Sequence, residues 1–191
     1  GRGGGGGRGG GGFSAPLSVA TGLNTATWSL RYPNAVSFPN MIMWGGNVTG
    51  PMAAPGTYTV KLTVDGKSQT QPLVVERHPL YSATDADLQA QFDFLIQVRD
   101  KVSEANNAVI QIRAIKTAVA DRVAKSNGDA RLKAAADTLT TNLTAVEGEI
   151  YQIKNQSGQD PLNFPIKVNN WLAGLLSMVG NGDGRPTSEE I

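Results

Sequence analysis

At 191 residues, 40% of them hydrophobic, the chain holds enough apolar material for one medium domain or two small ones. A formal charge of +1 argues against a nucleic-acid binder, which needs clustered Lys and Arg to displace counterions. The absence of cysteine and the single histidine, His78, exclude disulfides, thiolate metal sites, cysteine nucleophiles and histidine-rich metal or triad chemistry. No run reaches the roughly 18 to 20 apolar residues of a membrane-spanning helix, and no signal peptide is recognisable.

Residues 1–12 are glycine apart from Arg2 and Arg8. Such a stretch cannot repay the entropy of ordering, so it predicts a disordered linker and a chain that is the C-terminal or processed part of something longer. It is no phosphate cradle, because no strand precedes it and no Lys-Ser/Thr helix start follows. Two arginines without interleaved aromatics are also too few for an Arg-Gly segment that binds RNA.

Residues 13–79 are punctuated as a small all-β module. Gly22-Leu23-Asn24, Tyr32-Pro33-Asn34, Phe38-Pro39-Asn40, Gly45-Gly46-Asn47, Gly50-Pro51, Pro55-Gly56 and Asp65-Gly66 are closely spaced turn signals. Residues 26–32 and 41–44 are short candidate strands. From Tyr58 to Val64 apolar side chains alternate with Thr and Lys, then a two-residue Asp65-Gly66 turn leads into Gln71, Leu73 and Val75, the pattern of a tight hairpin. Five to seven short strands predict an immunoglobulin-like or fibronectin-like antiparallel sandwich with Trp28, Trp44 and Tyr58 in its core. His78-Pro79 closes it.

Residues 84–180 predict a helical module. Thr84 with Asp87 three residues on is a capping pattern, and Leu88, Phe92, Leu95, Val98, Val102, Ala105, Val109, Ile112, Val119 and Val123 keep helical spacing to about Lys125. A helix of that length extends on the order of 60 Å and needs a partner along its side. Ser126-Asn127-Gly128-Asp129 supplies a stop, a turn and the next cap. Leu132, Ala136, Leu139, Leu143, Val146, Ile150 and Ile153 then alternate in threes and fours, a coiled-coil seam that predicts an antiparallel hairpin. Residues 156–161 break the second helix, and a third begins near Pro165 with Ile166, Leu172, Leu175, Leu176 and Val179. Residues 181–191 are a polar tail.

The fold class is therefore α+β in two modules: a small β-sandwich, then a long antiparallel helical hairpin with a short third helix. Charge divides unevenly between them: six basic and two acidic side chains precede residue 84, eleven and fourteen follow. Such a split could draw two modules or two proteins together, but scattered solvated charge is the simpler reading.

Acidic residues are the only plausible catalytic material. Asp85, Asp87, Asp93, Asp100 and Glu104 lie on the first helix, where they stripe a solvated surface instead of converging across a cleft. Asn181 to Asp183 with Gly182 and Gly184 begins like a calcium loop, but the alternating ligands and the closing Glu are missing. Asn47-Val48-Thr49 and Asn142-Leu143-Thr144 match the glycosylation pattern, meaningful only in a eukaryotic secretory setting. Trp171, Leu172, Leu175, Leu176 and Met178 read first as a packed helix and second as a docking surface. No catalytic, cofactor-binding or metal-binding residue is assigned, and no cofactor is called for.

Thr27-Trp28-Ser29-Leu30-Arg31-Tyr32-Pro33, Pro55-Gly56-Thr57-Tyr58-Thr59-Val60 with Gln71-Pro72-Leu73, Thr84 with Asp87-Leu88-Gln89 and Gln91-Phe92, Leu162-Asn163-Phe164-Pro165-Ile166-Lys167, and Gly182-Asp183-Gly184-Arg185-Pro186-Thr187 form an ordered series. Together they resemble the C-terminal region of large bacterial secreted propeller proteins, the sortilin-like proteins labelled BNR-repeat glycosyl hydrolases. Ser29 stands where the resemblance leads one to expect an acidic residue. In that family the propeller lies upstream with any hydrolytic residues, so the resemblance implies an extracytoplasmic, non-catalytic appendage.

The expectation is a periplasmic or secreted interaction module that docks to protein, in its specific form an accessory subunit on the outer face of a membrane complex. The alternative is a carbohydrate-binding or stabilising appendage of a propeller hydrolase, with Trp28 and Trp44 stacking on sugar; an enzyme in its own right ranks third.

Overall fold

The computed structural model describes residues 20–191, so the glycine-rich stretch expected as a linker lies outside the described residues, as does the start of the expected β module. The elements run β1 (Gly56–Val64), β2 (Lys67–Val75), α1 (Asp85–Ala124), α2 (Ala130–Ile150) and α3 (Val168–Gly180), with one short 3-10 turn at Asp160–Leu162. The chain divides into two compact units that interleave along the sequence. One comprises residues 20–34, Thr49–Gln97 and Met178–Ile191; the other comprises Ala35–Val48 and Val98–Ser177.

In the first unit β1 and β2 form one antiparallel pair, with Tyr58 opposite Leu73, Val60 opposite Gln71 and Val64 opposite Lys67. Asp65 (φ 48°) and Gly66 (φ 77°) both take positive φ, the two-residue geometry whose twist matches paired strands. The expected hairpin is thus present, at the expected turn. The sandwich expected over 13–79 is not what the described residues form: they contain a single two-stranded sheet. Of the candidate strand at 26–32, only Arg31 pairs, as an isolated antiparallel bridge to Met52. At the base of the hairpin the Trp28 and Tyr58 rings meet edge-on at 5.7 Å, the Trp28 indole N–H donates to the Arg31 carbonyl (3.0 Å), and the Tyr58 hydroxyl donates to the Ala54 carbonyl (2.7 Å). Burial pushes the Tyr58 phenol above its ordinary pKa, with Tyr32 adding to the shift.

The start of α1 is fixed by a reciprocal cap. The Thr84 hydroxyl accepts from the Asp87 amide (3.2 Å) while Asp87 Oδ2 accepts from the Thr84 amide (3.1 Å) and hydroxyl (2.6 Å). These bonds from Thr84, helped by the charge of Arg185, hold the Asp87 carboxyl below its ordinary range. In this unit Tyr32 and Phe92 meet edge-on at 4.8 Å, and Ala53, Ala54, Leu95 and Val179 are buried. Gly50 has no room for a side chain, since a β-carbon there would collide with the Tyr32 and Pro33 carbonyls.

In the second unit residues 98–124 of α1 bury Val98, Val102, Val109 and Ile112 at the expected helical spacing. Asp129 caps α2 as the sequence predicts, its Oδ1 accepting from the Arg131 and Leu132 amides (2.9 and 3.1 Å). The helix ends at Ile150, short of the expected 153, where Tyr151 turns extended.

The expected seam of α2 needs a correction. Ala136 and Glu147 are its buried residues, while Leu139, Val146 and Ile153 lie 42, 53 and 43% exposed. Ala136 holds the predicted line, with Leu132, Leu143 and Ile150 half-buried, but at two turns the inward position falls one residue later, on Thr140 and Glu147 instead of Leu139 and Val146, and Glu147 there meets the cations of α1.

A second correction concerns residues 41–44, expected as a strand with Trp44 in a sandwich core. Segment Ala35–Val48 carries no strand and belongs with the helices. Ala35 clusters with Val102 and Ala173, and Phe38 with Val109 and Tyr151. The amides of Val36, Ile42 and Trp44, which a strand would pair with a neighbour, are taken by the side chains of Ser103, Tyr151 and Asn170, and Trp44 is left 44% exposed.

Candidate functional site

Two places in the second unit concentrate polar chemistry away from water. The first is a set of three buried asparagines, Asn106, Asn169 and Asn170. A buried amide is costly unless bonded, and these are bonded to the irregular segment. Asn106 Nδ2 donates to the Val36 carbonyl (2.7 Å) and its Oδ1 accepts from Asn169 Nδ2 (3.0 Å). Asn170 grips Trp44 at both ends, Oδ1 accepting from the Trp44 amide and Nδ2 donating to the Trp44 carbonyl, each at 2.8 Å. Ser103, Tyr151 and Ser177 add hydroxyl acceptors for the amides of Val36, Ile42 and Asn47 at 3.1, 3.1 and 3.2 Å. Gly46 completes the fit. A β-carbon there would stand 2.9 Å from Ala173 and from the Gly174 nitrogen.

The second place is Glu147, whose side chain is 5% exposed. Its Oε1 accepts from Arg113 Nε (2.8 Å) and its Oε2 from Lys116 Nζ (2.7 Å). The Arg113 guanidinium also lies 4.6 Å from the Phe38 ring centre and 5.4 Å from that of Tyr151, and those two rings meet edge-on at 5.1 Å. Burial alone would raise the Glu147 carboxyl, but the hydrogen bonds and charges of Lys116 and Arg113 outweigh it and hold the group below its ordinary pKa. A carboxylate kept ionised between two cations is poorly suited to proton transfer near neutrality; its place is that of a clamp between α1 and α2. The sequence carried a signal for it: Glu147 falls four residues after Leu143 and three before Ile150, on the stripe that packs, while Arg113 and Lys116 are spaced to share one face of α1.

The acidic residues of α1 do not converge. Asp85 pairs with Arg77 (3.1 Å), Asp93 accepts from Gln89 (2.8 Å), Asp100 pairs with its neighbour Arg99 (2.6 Å), and Glu104 pairs with Lys101 (2.7 Å). The hydrogen bond to Glu104 holds the Lys101 ammonium above its ordinary pKa. One shallow depression along α1 is lined by Asp100, Ser103, Glu104, Asn107, Ala108 and Gln111; another, at the hairpin base, lies among Pro55, Thr57, Val74, Glu76, Arg77 and Asp85. Among the described residues no group of three or more His, Asp or Glu side chains is placed to hold a metal ion. None of their helices is long and apolar enough to cross a membrane.

The other residues singled out from the sequence have local partners. His78 Nδ1 accepts from the Leu80 amide (3.3 Å), and its ring lies 5.5 Å from Tyr81. In the suggested calcium loop, the Gly182 carbonyl accepts from Gln91 Nε2 (2.7 Å), which also donates to the Val179 carbonyl (2.9 Å). Asn47 Nδ2 donates to Ser177 Oγ (2.7 Å), and Asn142 lies within α2. Along α3, Ala173 and Leu176 are buried while Trp171 and Met178 are 66 and 61% exposed. Comparison with protein-family models, curated proteins and solved structures returns no match to this chain.

Proposed function

We propose that the chain is a non-catalytic interaction module acting outside the cytoplasm, an accessory subunit docked by its helical hairpin on the outer face of a membrane complex. The observation that carries this reading is exposed apolar surface on both helices of the hairpin. Leu139 and Val146, seven residues apart on α2, are 42 and 53% exposed, and Ile115 on α1 is 45% exposed. Side chains of this kind at helical spacing suit packing against a partner helix or groove. Meanwhile the ionisable and amide groups of the same unit are engaged in holding its own segments together. The resemblance to the appendages of secreted propeller proteins belongs to the same proposal, as does an immunoglobulin-like character for residues 13–79, for which the hairpin and the Arg31–Met52 bridge are the support.

The test is association with envelope membranes. The chain should sediment with them and be released by Leu139→Lys/Val146→Lys, a double change on exposed positions that leaves the helical circular dichroism unaltered. A chain that stays in the soluble fraction, or whose sedimentation ignores the double change, overturns the reading.

A second reading, carbohydrate binding, is favoured by one observation: Trp44 and Trp171 expose 44 and 66% of their surface, enough for a ring to stack on a sugar. Trp28, half-buried with its indole N–H engaged, is less suited to that role. Binding of soluble oligosaccharides lost in Trp44→Ala and kept in Trp28→Phe would establish it; unchanged tryptophan emission across an oligosaccharide panel would remove it.

A further inference from the structure

The hairpin offers an edge as well as a face, and its two edges differ. In a two-residue loop of this geometry the residues flanking the turn, Val64 and Lys67, exchange both hydrogen bonds, and bonded and non-bonded pairs alternate from there. The N–H and C=O groups of Val60, Leu62 and Val64 therefore point at β2, and those of Thr57, Thr59, Lys61 and Thr63 point outward. Pro72 sits opposite Thr59, a non-bonded position, so its nitrogen lies on the outer edge of β2 and removes a donor there. The outer edge of β1 has no such interruption over nine residues, and among the described residues no backbone group pairs with it.

Two strands alone are marginal in water, and this pair is left open: Val60, Leu62, Val64 and Val74 are 51 to 61% exposed. The sequence of β1 selects what can lie beside it. Paired antiparallel with a second β1 about Val60, all nine residues overlap, Val60 faces Val60, Tyr58 faces Leu62 and Thr57 faces Thr63. Lys61, the only charged residue of the strand, then faces Thr59. A register shifted by one, about Lys61, sets lysine against lysine; one shifted the other way, about Thr59, sets Leu62 against Gly56 and leaves Val64 unpaired. Charge and overlap choose the same centre.

We propose that two copies of this chain associate through the outer edges of β1, about a two-fold axis at Val60, to give a four-stranded antiparallel sheet ordered β2-β1-β1-β2. The inference is independent of the helical docking surface proposed above. One strand edge on each side buries less than the ~1,200–2,000 Å² of a stable interface, so the association is reversible and concentration-dependent.

The absence of native cysteine makes the test direct, because one introduced thiol has only its own copy to meet. At a non-bonded antiparallel pair the Cα atoms stand about 4.5 Å apart, within the range a disulfide spans. Whole-chain Val60→Cys under mild oxidation should form a linked dimer at least about tenfold faster than Val64→Cys, which is equally exposed but opposite Gly56 in this register. In sedimentation the unaltered chain should show a dimer that grows with concentration, and Thr59→Pro, which removes one outward donor as Pro72 does on the other edge, should abolish it with far-ultraviolet circular dichroism unchanged. Equal linking of the two cysteine variants, or a monomer at the highest soluble concentration, overturns the proposal. If Thr59→Pro disturbs the hairpin itself, the cysteine pair still decides.

Discussion

Segment Ala35–Val48 and the β1–β2 hairpin invert the usual relation between regularity and support. The hairpin has a complete ladder, a well-formed turn and alternating side chains, yet most of its residues face water. The irregular segment has no ladder, yet buries Ala35 and Phe38 and has amides and carbonyls answered by Asn106, Asn170, Ser103, Tyr151 and Ser177. What fixes a stretch of chain is whether its backbone groups and apolar side chains find partners; a repeating pattern is only one way of finding them.

That contrast can be broken most severely at Asn106. Asn106→Leu keeps the volume but leaves the Asn169 amide buried without its partner and the part-buried Val36 carbonyl without its donor, a loss of about 3 kcal/mol, read as a lower urea midpoint with unchanged slope. Gly46→Ala forces a methyl group into Ala173 and should cost about 2 kcal/mol, with faster amide exchange confined to the second unit.

Glu147→Gln comes next. Removing one partner of a buried pair is severe, but Arg113 is 41% exposed and Lys116 21%, so water softens the loss to about 1–2 kcal/mol. Because the folded pKa lies below the ordinary 4.5, the Glu147 contribution is complete above that value and fades as pH falls through the lowered one. The difference in stability between the native chain and Glu147→Gln should therefore be constant near neutrality and shrink below about pH 4.5, as measured by denaturant midpoints across that range. The smallest effect belongs to the hairpin: Leu62→Thr, at a 55% exposed site, should shift the folding midpoint of the dilute chain by less than about 0.5 kcal/mol. A large loss there would mean that the hairpin is covered in solution and the contrast is false.

Legibility in the sequence followed the range of the interactions. Asp65-Gly66, the Thr84–Asp87 cap, the Asp129 cap and the long apolar period of α1 are all set by residues within a few positions of one another, and each is found where the sequence places it. Residues 41–44 look like a strand in the sequence because their actual partners are remote: Trp44 is held by Asn170, 126 positions away, and Ile42 by Tyr151, 109 away. The shift from Val146 to Glu147 within the α2 seam has the same origin, since a count of apolar residues picks Val146 and passes over a charged residue whose partners, Arg113 and Lys116, lie on another helix. The candidate site divides likewise. The dispersal of the acidic residues along α1 was visible in their spacing; the asparagine set was not, because it joins side chains from residues 106 and 169–170.

The Trp28 indole, edge-on to Tyr58 and bonded to a backbone carbonyl, gives the first unit its own optical reporter. At 5.7 Å, excitation absorbed by the phenol should pass efficiently to the half-buried indole, which should emit to the blue of the more exposed Trp44 and Trp171 and be quenched less by dissolved iodide. Loosening of either unit can thus be followed by colour in the unlabelled chain.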